Sequence, residues 1–166
     1  MLKINLQLTF FYLAGLILQV FFFELWDLFG YIDPMFYIIF IIFYQFDGSK
    51  SQFIILSFSL GFFIDILTQN PGANSISCLL ISFIRPLLIN FSFGINSDIS
   101  HGMITGTRVK DRFLFLGLTI LFHHLFYFIT TYFSFYLILN ILISTILTGI
   151  LSFILIGIVL GLMIKK

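Results

Sequence analysis

The stretch GFFIDILTQNPGANSISCLLISFIRPLL sets one carboxylate, Asp65, and one guanidinium, Arg85, into sequence that is otherwise apolar enough for a membrane interior. A lone charge at that depth costs several kcal/mol on insertion scales, so each is expected to have an internal partner. Each also lies on a stripe of small or polar residues at helical spacing: Ser57, Gly61, Asp65 and Thr68 on one segment, then Ser75, Cys78, Ser82 and Arg85 on the next. Counted at ~1.5 Å per residue, Asp65 falls ~18 Å and Arg85 ~16 Å from the same face of a ~30 Å hydrocarbon core. Two antiparallel helices would bring these stripes face to face. The arrangement has two readings: an ion pair serving as a structural hub, with small residues allowing close approach, or the lining of a cavity for a polar ligand. Pro86, next to Arg85, would free a backbone carbonyl near the pair by kinking its helix.

Other polar residues point to less chemistry. His123 and His124 are adjacent and project about 100° apart on a helix, so they do not form the i, i+4 pair that chelates one metal; they are expected to bond neighbouring helices, with Tyr127 and Thr130 or Thr131 as candidates. Cys78 is the single cysteine, which excludes an intrachain disulfide and offers no metal-ligand set. No phosphate-cradling glycine loop is present. No nucleophile with a base, no paired carboxylates and no ligand set at helical spacing is found, so the reading is non-enzymatic, without cofactor or metal. Asn140, Ser144, Thr148 and Ser152 recur every four residues and, with Gly157 and Gly161, mark a packing face. Arg108, Lys110 and Arg112 end the longest polar connection and read as an anchor at anionic headgroups or a docking site for a cytoplasmic partner.

The elements that must position these residues follow from composition. The chain has 166 residues, of which 60% are apolar, 20% aromatic and 9% charged, with mean hydropathy +1.15. A soluble core of that apolarity would leave aggregating patches, whereas a bilayer solvates them. A net charge of +1 leaves no basic face for nucleic acid. Six apolar segments form a single all-α integral membrane domain over 1–166, at about 4–23, 28–46, 53–67, 76–93, 113–133 and 137–164. The first ends in VFFFELWD without a small-residue cleavage pattern and is expected to be retained as a helix. Asp33 and Pro34 suit the start of the second helix. In the turn Asn70-Pro71-Gly72, the following Asn74 or Ser75 is the expected cap of the fourth. With six spans, Lys3, Lys50, Arg108, Lys110, Arg112, Lys165 and Lys166 all fall on one side, seven against none once Arg85 is set aside as intramembrane. By the positive-inside rule both termini are cytoplasmic.

A six-span chain of this length, with Gly61-x-x-x-Asp65 ending the third helix, a short turn through Gly72, a helix entered at Ser75, and Arg85 within it, resembles the bacterial rod shape-determining MreD family. The resemblance implies a scaffold of the cell-elongation (peptidoglycan synthesis) complex in the bacterial inner membrane, associated with an MreC-like bitopic protein, MreB, RodA and a class B penicillin-binding protein. It implies no reaction and no catalytic residues. It also implies the six-helix architecture of the substrate-binding S-components of energy-coupling-factor transporters, so the alternative function is an S-component-like transporter subunit with Asp65 and Arg85 lining a ligand site.

Overall fold

A computed structural model of the chain describes residues 6–24, 34–44, 50–94 and 107–163, and every regular element among them is helical. Helix α1 (Leu6–Leu18) runs into a π-helical turn (Gln19–Phe23). A short α2 (Ile38–Phe43) follows. The long helices are α3 (Lys50–Thr68), α4 (Ala73–Phe93) and α5 (Val109–Tyr132). A 3-10 turn (Phe135–Leu137) leads into α6 (Ile138–Met163). Among the described residues five stretches, Leu6–Phe23, Lys50–Thr68, Ala73–Phe93, Val109–Tyr132 and Ile138–Leu162, are long and apolar enough to cross a membrane. Their outer faces expose residues such as Phe62, Phe83, Leu87, Ile150 and Ile158, a surface suited to hydrocarbon rather than water.

The second apolar segment departs from the sequence reading. Among its described residues only Ile38–Phe43 is α-helical, ~9 Å of helix against a ~30 Å hydrocarbon core. The IIFIIF hexad is apolar all round, which suits burial on every side, and all six side chains are buried. Pro34 does not open this helix; it stands four residues ahead of Ile38, and turns intervene. Asp33 lies outside the described residues, as do Lys3, Lys165 and Lys166.

Specific contacts fix the direction of each element. Phe11 stacks on Phe43 at 5.0 Å and Phe23 on Phe36 at 5.3 Å, so residues 36–43 run antiparallel to α1. Gly61 and Asp65 meet the start of α4, whereas Phe53 lies beside Arg85, so α3 and α4 are antiparallel. Cys78 lies beside His123 and Arg85 beside Phe115, which sets α5 antiparallel to α4. Gly157 against Phe113 and Ser152 against His124 do the same for α6. Lys50 and Arg108 therefore stand at one end of the bundle, and the turn at Gln69–Gly72 at the other. Ser144, Thr148 and Ser152 are buried toward the bundle, so the four-residue repeat of α6 packs within the chain, while Asn140 and Gly161 are exposed.

Candidate functional site

Several buried polar groups of the bundle meet helix ends. A helix leaves its first N–H groups and last carbonyls without intrahelical partners, and hydrocarbon supplies none. The first turn of α4 faces this problem acutely, because its cap residue Gly72, at φ +102°, brings no side-chain acceptor. Asp65, in the last turn of α3, supplies it. Its Oδ1 accepts the Asn74 backbone N–H at 3.1 Å and Asn74 Nδ2–H at 2.9 Å. Its Oδ2 accepts the Ser75 backbone N–H at 2.7 Å and the Ser75 hydroxyl. A carboxylate there also meets the positive end of the helix dipole. Asn74 and Ser75 thus stand inside the first turn of α4 and bond Asp65; neither caps the helix from outside, which corrects the sequence expectation.

Gly61 makes this contact possible. A Cβ at that position would lie 2.5 Å from Asn74 O and 2.8 Å from Ser75 N, closer than any side chain tolerates. The backbones of α3 and α4 meet there without an intervening side chain, and Asp65 follows one helical turn later on the same face. The Gly61-x-x-x-Asp65 pattern is therefore one device: the glycine admits the end of the next helix and the aspartate caps it.

Arg85 does the converse work at the other pole of a helix. Its Nη2 donates to Tyr44 O at 2.7 Å and to Ile42 O at 3.3 Å, the carbonyls at the C-terminal end of α2. Its guanidinium carbon lies 5.0 Å from the centre of the Phe53 ring and 5.8 Å from that of Phe115. A cation at a helix C-terminus is favoured by the dipole, and the two rings add cation–π attraction in a dry setting.

The expected Asp65 and Arg85 ion pair is not formed. All four hydrogen bonds to Asp65 come from Asn74 and Ser75, and the ion pair among the described residues is Arg108 with Asp111. Asp65 sits against the first turn of α4, whereas Arg85 is about ten residues, ~15 Å, further along that helix. The equal-depth count erred because it began each helix where apolarity begins. In the structure α3 starts at Lys50 and α4 at Ala73, three residues earlier in each case.

The N-terminal side of α2 is held by residues that sequence reasoning had not singled out for this role. Phe36 N–H donates to Gln19 Oε1 at 2.8 Å, and Met35 N–H donates to Ser152 Oγ at 2.9 Å. His124 Nδ1 faces Ile120 O at 2.8 Å and must carry the proton there, which leaves Nε2 to accept from Ser152 Oγ–H at 3.1 Å. Tyr37 O–H donates to Asn74 Oδ1 at 2.6 Å and accepts His123 Nε2–H at 3.2 Å. A continuous chain of bonds thus runs from Asp65 through Asn74 and Tyr37 to His123. The one advance signal for Gln19 was its isolation in an apolar run. It also opens the π-turn, where Glu24 N–H reaches back to Gln19 O at 2.9 Å.

The remaining predicted residues take lesser places. Gly72 provides the left-handed turn into α4, and Ser57 and Cys78 are fully buried. Ser82 bonds its own helix at Leu79 O, 2.7 Å away, and α4 continues through Pro86. His123 and His124 diverge to α2/α4 and α6, not to Tyr127, Thr130 or Thr131; the two threonines bond carbonyls of their own helix. Among the described residues no three His, Cys, Asp or Glu side chains gather as a metal set. A cavity of about 230 Å³ between α5 and α6, lined by Gly117, Ile120, Thr145, Gly149 and Phe153 among others, includes none of the Asp65 and Arg85 machinery. The arrangement ties helix ends together. No protein-family model, curated protein or solved structure matches this chain.

Proposed function

We propose that the protein is a non-enzymatic scaffold of the bacterial cell-elongation machinery, an MreD-like inner-membrane component acting with an MreC-like bitopic protein, MreB, RodA and a class B penicillin-binding protein. Supporting this reading is the use made of the residues that carry the resemblance. Gly61, Asp65 and Ser75 form a helix-capping unit, in which Asp65 accepts from the backbone and side chains of Asn74 and Ser75. Such a unit stiffens a bundle and leaves its outer faces for partners. Six crossings with both termini cytoplasmic belong to the same reading. The antiparallel course of residues 36–43 along α1 supports a second crossing, and Lys50 and Arg108 at one end support the orientation.

One observation favours an S-component-like transporter subunit as the second reading. A short buried helix with its C-terminal carbonyls inside the bundle resembles the discontinuous helices that line midplane sites in transporters. Affinity purification of the tagged protein from its host, together with depletion, separates the two. The scaffold reading expects recovery of an MreC-like bitopic protein and rounding of rod-shaped cells. Unchanged cell width, with a coupling subunit and ATPase recovered instead, overturns it. A C-terminal alkaline phosphatase fusion should be inactive; an active one contradicts the cytoplasmic placement of that end.

A further inference from the structure

We propose that the first turn of α5 is a binding site for a phosphate group, that of an anionic phospholipid headgroup or a free phosphate, centred on Arg112. The inference stands apart from the scaffold reading and rests on how the three bases of this region differ in the structure. Arg108 is 85% exposed at its side chain and is paired with Asp111 at 2.8 Å. Lys110 is exposed. Arg112 is only 6% exposed although it carries a full guanidinium.

Two bonds hold that guanidinium in place. Nε donates to Thr107 Oγ1 and Nη2 to Thr107 O, both at 2.7 Å. Thr107 precedes Arg108, the cap residue of the 24-residue helix α5, so these bonds fold the guanidinium back over the helix N-terminus. The third nitrogen, Nη1, is buried with no hydrogen-bond partner. The helix end is itself short of acceptors. Arg108 makes no side-chain cap, and its carbonyl takes the N–H groups of Asp111 and Arg112, while those of Val109 and Lys110 precede the first intrahelical acceptor.

A guanidinium with one unmet N–H, bonded to the residue just before the helix cap and set at the positive end of a helix dipole, matches a tetrahedral oxyanion. The local charge agrees. Among the described residues Asp111 is paired with Arg108, Lys110 and Arg112 add positive charge on the same turn, and Lys50 begins α3 at the same end of the bundle. This end of α5 lies at a membrane surface in any spanning arrangement, where headgroup phosphates are concentrated.

The test uses the full-length protein. Native mass spectrometry would count phosphatidylglycerol retained after release from mixed phosphatidylglycerol and phosphatidylcholine nanodiscs. Thermal unfolding in phosphatidylcholine nanodiscs would be compared in inorganic phosphate and in chloride at matched ionic strength. Wild type should retain phosphatidylglycerol preferentially or be stabilised by phosphate. Arg112→Gln should lower the effect about fivefold, against less than about twofold for Lys110→Gln on the exposed rim. Arg112→Lys, which keeps charge but loses the planar fork, should fall between. Lipid retention without a phosphate response assigns the site to a headgroup, and the reverse assigns it to a soluble phosphate. A wild type indifferent to both overturns the proposal, as does a folded Arg112→Gln or Arg112→Lys protein that behaves like wild type.

Discussion

Arg85→Leu should lower the stability of the folded protein by about 2 to 4 kcal/mol, seen as a fall in Tm in detergent and reduced abundance in the membrane. The change removes the donor that meets Ile42 O and Tyr44 O. Charge-assisted hydrogen bonds contribute roughly 1.5 to 3 kcal/mol each, and a desolvated cation–π contact about 2 more. Against this stands the relief of no longer burying a charge, several kcal/mol on insertion scales. The deficit exceeds the relief because Leu removes a charged donor to two carbonyls in a region where neither water nor lipid replaces it. Arg85→Lys should recover part of the loss, since an ammonium can still donate to both carbonyls but lacks the delocalised guanidinium that lies near the Phe53 and Phe115 rings. Wild-type stability in Arg85→Leu would mean that the end of α2 needs no external cap.

Gly61→Ala should be comparably damaging, at about 2 to 4 kcal/mol, although it adds a single methyl group. Its Cβ would sit 2.5 Å from Asn74 O and 2.7 Å from Asn74 C, and these are backbone atoms that cannot rotate aside. The helices must separate, which costs roughly 1 to 3 kcal/mol as overpacking. Separation also draws Asp65 from the first turn of α4, with a cap loss of about 1 kcal/mol. Gly117→Ala is the matched control. Its Cβ would meet only a ring atom of Phe153, at 3.6 Å, so the better helix propensity of alanine should leave it neutral or stabilise it by up to ~1 kcal/mol. Thermal aggregation of the two variants side by side reads the difference, and equal behaviour would contradict the backbone contact at Gly61.

The legible and illegible parts of this fold divide along physical lines. Apolar runs of spanning length were plain for α1 and α4 to α6, because hydrocarbon demands length and apolarity alone, whereas the run read for α3, 53–67, was shorter than the helix Lys50–Thr68. The bases at Lys50 and Arg108 were likewise read correctly as sharing an end. The short α2 was not visible, since IIFIIF and its apolar flanks read the same whether the chain is helical throughout or breaks at Tyr44. That hidden break decided the fate of the charges. Once a helix ends inside the bundle its carbonyls create a demand for a cation, and Arg85 answers it; sequence alone suggested the nearest opposite charge, Asp65, instead. Gly61 and Asp65 were legible as a spaced pair on one face, but the feature they serve is the backbone of Asn74 and Ser75, and backbone groups leave no mark in a sequence. Gln19 belongs to the same class, as its partner is the Phe36 N–H, whereas Tyr37 bonds the side chains of Asn74 and His123, which the sequence shows but does not pair.

The central claim is that Asp65 and Arg85 act on two different helix ends and not on each other. A double-mutant cycle tests it most directly, with Asp65→Asn, Arg85→Leu and the double variant compared by reversible unfolding in one detergent. Sites ~15 Å apart along α4 with no shared partner should give losses that add to within about 0.5 kcal/mol. Recovery of stability in the double variant, with a coupling above about 1 kcal/mol, would contradict the account and restore the ion pair.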